Sequence, residues 1–193
     1  SIDEVKNLYK TNVSPAQVKL LSAFSFGKDL SDTSEGCYIF TKSGKKILDF
    51  TGGFGVLNHG HNNQRIIDAR INFQKKKKVE VHKNYLCPYL AALSHNIANI
   101  LPGDLNVSYL PNSGAEANEG AIKLAYKFHE GKRKYILHSN ISFHGKLLGT
   151  GSISASPEVK FSFPGLSNTD TFNWNNIESV KEKIQKYEAD IFA

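Results

Sequence analysis

Apolar and polar positions repeat along this chain with two periods, and the change from one to the other organises it. From Gly36 to Phe50 (GCYIFTKSGKKILDF), two short β-prone runs, Cys37 to Thr41 and Ile47 to Phe50, flank a Lys42-Ser43-Gly44-Lys45 turn, which predicts a hairpin. From Gln64 the period becomes helical. Ile67, Ile71 and Gln74 mark a helix over 64–78, and Leu90, Leu93, Ile97 and Leu101 mark a second, opened by Pro88 and stopped by Pro102-Gly103. Another helix is expected from about Gly114, and a last one over Asn176 to Tyr187 gathers Ile177, Val180, Ile184 and Tyr187 on one face. Between the helices, Asn106 to Leu110 (NVSYL) and Lys134 to His138 (KYILH) read as strands, and the apolar run Ala189 to Ala193 (ADIFA) as a strand beginning. Strands alternating with helices after residue 106 predict an α/β fold with a largely parallel sheet. Ser1 to Leu30 shows only a weak helical pattern, broken at Pro15.

Composition narrows this picture without redirecting it. With 193 residues, 40% of them hydrophobic, the chain has material for a sizeable core. The net charge of +6 is concentrated in Lys75 to Lys78, at the expected end of a helix, where a lysine run is usually a solvated face. Zinc-finger spacing, an RNP-like strand and a recognition helix are all missing from the sequence, so nucleic acid is not the expected partner. Cys37 and Cys87 lie far apart and suggest neither a disulfide framework nor a zinc site, which points to a reducing, cytoplasmic setting. A membrane span and a signal peptide are likewise not expected. The absence of methionine and the abrupt ends at Ser1 and Ala193 read as a chain cut at both ends.

The chemistry is concentrated in Pro111 to Phe128 (PNSGAEANEGAIKLAYKF) and in the short run Ser142 to Lys146 (SFHGK). Ser113 is a good N-cap, and Glu116 stands in the capping-box position. Glu119 to Lys123 is a favourable i, i+4 pair. A strand, a tight turn and a helix in that order leave the N–H groups of Gly114 and Ala115, with the Ser113 hydroxyl, at the positive end of the helix dipole, where a phosphate fits. By itself such a box is also an ordinary helix start. Thr51 to His61 (TGGFGVLNHGH) is a loop whose four glycines permit positive φ or a close backbone approach; it is not a dinucleotide fingerprint. His59 and His61 lack a third ligand at sensible spacing, so hydrogen-bonding roles are expected and a metal site is not.

These residues also form an ordered set. G-x-Y-I-x-x-x-x-G-K-x-x-L-D-F, then GGFG with Asn58 and Gly60-His61, LPGDL at Leu101 to Leu105, NSGAEANEGAIKLA at Asn112 to Ala125 and FHGK at Phe143 to Lys146 together resemble the class III pyridoxal-phosphate aminotransferases, from about Gly36 to Ala193. The resemblance implies the N-terminal part of a fold-type I transferase, with residues 1–50 as a small-domain segment and 51–193 as the first part of the cofactor-binding large domain. Position by position, it implies that Ser113, Gly114 and Ala115 hold the cofactor phosphate. Phe143 would stack on the pyridine ring, with His144 beside it orienting the loop or a catalytic neighbour. Glu119 has two readings, one facing the active-site side of its helix toward substrate and the other as the surface partner of Lys123.

Lys146 stands where many α-amino-acid members carry arginine. A point charge in place of a guanidinium fork suits substrate contacts of the putrescine aminotransferase branch. The expected reaction is transfer of an amino group from an amine, a putrescine-like diamine or an ω-amino acid to an α-keto acid such as 2-oxoglutarate, in a homodimer. Acetylornithine or ornithine aminotransferase, another class III chemistry such as aminomutase, decarboxylase or epimerase, and a non-catalytic ligand-binding fragment are the alternatives. In the family the Schiff-base lysine and the aspartate facing the pyridine nitrogen lie beyond the position of Ala193. This segment alone is therefore expected to be inactive, and poorly soluble through an exposed sheet edge and apolar helix faces.

Overall fold

In the computed structural model of the protein, residues 1–79, 84–155 and 165–193 are described. They form two compact units, Ser1–Tyr85 and Leu86–Ala193.

The first unit opens with α1 (Ile2–Asn12) and α2 (Pro15–Ala23), each capped by a serine. The Ser1 hydroxyl accepts from the Glu4 N–H, and that of Ser14 accepts from Gln17. Pro15, which interrupts the sequence pattern, is thus a helix start, since at the first helical position its missing N–H costs nothing. Strands β1 (Ser31–Glu35), β2 (Tyr38–Thr41) and β3 (Lys46–Leu48) form an antiparallel sheet in that order. The expected hairpin is β2–β3, with Ile39 opposite Ile47 and Gly44 taking the positive φ of the turn. β1, reading SDTSE, has no apolar alternation and was not expected as a strand; it forms because β2 offers it a free edge.

The glycine-rich loop has an anchor that the sequence reading did not identify. From Gly52 to Gly55 (α3) every residue has positive φ, including Phe54 at 61°, so the segment is a left-handed turn. A non-glycine residue in that region is costly unless its surroundings fix it. The turn is closed around Phe54 by Gly55 N donating to Thr51 O (2.8 Å) and Val56 N to Gly52 O (3.1 Å), and Asp49 anchors its start: its Oδ1 accepts from Thr51 N (2.8 Å), Thr51 Oγ1 (2.6 Å) and Gly52 N (3.0 Å), while its Oδ2 lies 2.8 Å from His61 Nε2. The hydroxyl and amide of Thr51, with His61 and Gly52, hold this carboxyl well below the ordinary carboxylate range. His61 is therefore a hydrogen-bonding histidine, as expected, and links the L-D-F and G-H segments. Asp49→Ala is expected to raise hydrogen exchange at the Thr51 and Gly52 amides by about tenfold, the worth of one such bond. Unchanged protection would remove the anchoring role. Beyond the loop, Asn63 caps α4 (Gln64–Lys75), which ends before the lysine run is complete.

The second unit contains α5 (Pro88–Ala98), α6 (Gly114–Phe128), β4 (Ile136–Ser139), α7 (Leu148–Ser152), β5 (Thr169–Phe172) and α8 (Ile177–Tyr187). β4 and β5 pair in parallel, Ile136 with Thr169 through Ser139 with Phe172. On the opposite edge of β4 the chain end runs parallel to it, with Phe192 N donating to Tyr135 O (2.9 Å) and Leu137 N to Ala193 O (2.9 Å). The expected parallel arrangement and the expected strand at 189–193 are both present in outline. Asn106 to Leu110 departs from expectation. It forms no strand, because no described residue pairs with its backbone, and Val107 is almost fully exposed. Tyr109 instead lies against α6: a Cβ added at Gly120 would stand 2.7 Å from its ring. The small-residue tract Gly149 to Ser156 begins as α7, and Ser156 lies outside the described residues.

Ile136 and Ile153 are the buried large apolar side chains among the described residues, whereas Phe50, Leu86, Val107 and Phe128 are strongly exposed. Among the described residues no helix is long and apolar enough to cross a membrane.

Candidate active site

The first turn of α6 and the loop after β4 meet in the second unit. Ser113 is the N-cap in extended conformation, and its Oγ accepts from Glu116 N at 3.2 Å. The reciprocal arm of the expected capping box takes a different partner: Glu116 Oε2 accepts from the Ser113 hydroxyl (3.2 Å) and not from the backbone. The N–H groups of Gly114 and Ala115 precede the first intrahelical bond and have no protein acceptor among the described residues. A Cβ built on Gly114 meets nothing within 4 Å, so the space in front of this turn is open. Two backbone donors and a rotatable hydroxyl at the positive end of a fifteen-residue helix match a phosphate dianion in number and sign.

The loop is fitted to this turn by Gly145. It is buried and has φ of +133°, and an added Cβ would stand 2.5 Å from Ala115 Cβ and 2.9 Å from Thr150 Oγ1. Only a residue without a side chain lets the loop lie this close to the helix. Around it the chain is laced by small polar groups. Ser154, fully buried, accepts from His144 N (3.0 Å) and turns its hydroxyl to the carbonyls of Thr150 (2.9 Å) and Gly145 (3.0 Å). His144 Nδ1 lies 3.0 Å from Ile153 O; a carbonyl only accepts, so Nδ1 carries the proton and Nε2 of the neutral ring is left as acceptor. Of the two proposed actions of His144, this contact belongs to orienting the loop.

The remaining site candidates are placed by the same packing. Phe143, next to the laced segment, is 66% exposed and so offers an open aromatic face. Lys146 is exposed on the other side of Gly145. Glu119 turns toward the loop side of α6. Its Oε1 accepts from Thr150 N (2.8 Å) in the first turn of α7, and among the described residues it makes no ion pair with Lys123. Asn118, which sequence reasoning passed over, donates from Nδ2 to His144 O at 2.9 Å. No local signal marks it, since the contact joins residues 26 apart in the chain. Among the described residues no group of histidine, cysteine and acidic side chains is arranged to hold a metal.

Comparison with known proteins bears on what such a cradle holds. The sequence profile of the class-III aminotransferases matches residues 29–191. An acetylornithine aminotransferase of Prochlorococcus marinus is 32% identical over 181 residues, 91% of this chain and 43% of that protein. A putrescine aminotransferase of Pectobacterium atrosepticum is 28% identical over 189 residues, 95% of this chain and 40% of that protein. The chain thus spans about two-fifths of the length of these curated relatives. An adenosylmethionine-8-amino-7-oxononanoate aminotransferase of Methanocaldococcus jannaschii shares the fold over all of this chain and 46% of its own, with a TM-score of 0.85 at 22% identity. A transaminase from the marine bacterium Virgibacillus matches 98% of this chain and 46% of its own, with a TM-score of 0.82 at 22% identity. The α/β architecture is therefore the N-terminal part of the fold of pyridoxal-phosphate-dependent aminotransferases. Relatives of this class depend on pyridoxal phosphate, and the donors at the start of α6 fit its phosphate.

Proposed function

We propose that this chain, which belongs to the class-III aminotransferases, supplies the phosphate cradle and one ring contact of an enzyme that moves an amino group from an amine donor to an α-keto acid. The observation that carries the reading is the seating of the Phe143–Lys146 loop on the first turn of α6 through Gly145 and Ala115. Ser113, Gly114 and Ala115 would hold the phosphate, Phe143 would face the pyridine ring, and His144 would keep the loop in place. Pyridoxal phosphate, when bound, supplies an electron-withdrawing ring that stabilises negative charge at the substrate carbon bearing the transferred nitrogen. The contribution of this chain is to bind and orient. The Ser113 hydroxyl must turn from Glu116 to the phosphate, and Glu119 keeps α7 seated beside the loop.

Lys146 supports a donor without an α-carboxylate, such as putrescine or an ω-amino acid, because a single ammonium does not reproduce the bidentate grip of arginine on a carboxylate. A second reading, an acetylornithine-type donor, is favoured by the relative at 32% identity. In either case the proposal includes 2-oxoglutarate as acceptor, a cytoplasmic homodimer, a small-domain boundary near residue 50, and a catalytic lysine outside this chain, which alone is inactive. A coupled transamination assay on the complete protein tests it, with putrescine, ornithine and acetylornithine as donors. Turnover of putrescine at least tenfold above the other two is expected. Preference for acetylornithine transfers the assignment to the second reading, and an absorption spectrum of pyridoxal phosphate left unchanged by the protein would remove both.

A further inference from the structure

Gly145 allows the loop to approach the helix, but a glycine also leaves the backbone free to swing. Something must remove that freedom if Phe143 is to present its ring at one place. The His144–Gly145 peptide carbonyl is held from outside the loop by Asn118 Nδ2 at 2.9 Å, while the His144 N–H is held from inside by Ser154 Oγ at 3.0 Å. Asn118 and Ala115 lie one turn apart on α6, so the polar tether and the van der Waals seat act on the same side of the helix.

We propose that Asn118 is a positioning residue: its amide fixes the His144 carbonyl and thereby sets Phe143 relative to the anion cradle at the start of the same helix. It touches neither ring nor phosphate. A partly buried amide donor is chemically suited to the task, since a carbonyl takes it without any charge that would compete with a phosphate one turn away. The inference rests on the cofactor reading above, because the value of a fixed Phe143 is the ring it faces. It adds a division of labour within α6, in which residues 113–115 bind and residue 118 aligns.

The test is a double-mutant cycle in the complete protein, titrated with pyridoxal phosphate. Asn118→Ala and the uncharged Asn118→Leu, close in shape and without a donor, are each made alone and together with Phe143→Ala. Each Asn118 change is expected to weaken binding about tenfold when Phe143 is present, the loss of one hydrogen bond, and less than about twofold when it is absent. An equal weakening in both backgrounds overturns the proposal, as does wild-type affinity in the Asn118 variants. In cofactor-free protein, hydrogen exchange over residues 143–146 is expected to rise in both Asn118 variants; unchanged exchange overturns the tether irrespective of any cofactor. Wild-type affinity in Phe143→Ala alone takes down the ring-contact reading under Proposed function, a failure that leaves the exchange result to judge Asn118 separately. Thermal unfolding of each variant checks that the fold is intact.

Discussion

Gly145→Ala is expected to cost the complete protein about a hundredfold in pyridoxal-phosphate affinity. Two effects add at this position. The new Cβ would stand 2.5 Å from Ala115 Cβ and 3.0 Å from Ala115 Cα, distances at which something must move, and overpacking of this kind costs about 1–3 kcal/mol. The backbone φ of +133° is also one that L side chains rarely adopt, which adds about 1–3 kcal/mol. Lifting of the loop from α6 would relieve both, and it would separate the proposed ring contact at Phe143 from the proposed phosphate cradle. Roughly 3 kcal/mol recovered in this way and returned on binding corresponds to about two orders of magnitude in the dissociation constant. A second change separates this account from general damage. Ala115→Gly removes the nearest atom, so Gly145→Ala combined with Ala115→Gly should regain part of the lost affinity, the backbone contribution remaining. Wild-type affinity in Gly145→Ala, measured by titration of the visible band, would show that the loop does not depend on this seat.

The features legible in the sequence were those whose cause is local. Ser113 as an N-cap, Gly44 in its turn and the helices α4, α5 and α8 each follow from a few neighbouring residues, and all are present, with α4 and α5 ending at Lys75 and Ala98, short of the expected Lys78 and Leu101. NVSYL carries strong β propensity and still forms no strand, because a strand is completed by a partner and propensity cannot supply one. The reverse holds for β1 and for β5 (TDTF), whose polar sequences pair because β2 and β4 offer them edges. The candidate site divides along the same line. The free N–H groups at the start of α6 were readable from its cap. The Asn118 tether spans 26 residues and the Glu119 contact with Thr150 spans 31, and nothing in their local spacing announces either. Asp49 with His61 is similar. Each is ordinary in its own segment, and their meaning comes from the fold that joins L-D-F to G-H.

Asp170→Asn is expected to destabilise the second unit by about 2–3 kcal/mol near neutral pH, through the loss of a carboxylate with several partners at once. On β5, Asp170 Oδ2 accepts from Lys183 Nζ (2.7 Å) and Tyr187 Oη (2.7 Å) of α8, with Lys186 at 3.4 Å, and Oδ1 accepts from Thr171 N (2.7 Å). Tyr187 in turn stacks on Tyr135, beside the start of β4, with ring centroids 4.0 Å apart. The carboxylate thus ties α8 to the sheet that carries the Phe143 loop. Burial pushes its pKa up, but the bonds from Lys183, Tyr187 and Thr171 outweigh this and hold it well below the ordinary value of 3.8. Because the folded form binds its proton more weakly than the unfolded form, the contribution is complete above pH 3.8 and is lost as pH falls below it. The stability gap between wild type and Asp170→Asn should therefore be constant from about pH 7 to 5 and narrow by about 1 kcal/mol at about pH 3, as expected for a single such carboxyl. Denaturant unfolding at these pH values, followed by α8 amide exchange, measures it. A gap that stays constant or widens down to that pH would show that the ionised carboxylate is not what holds α8 to β5.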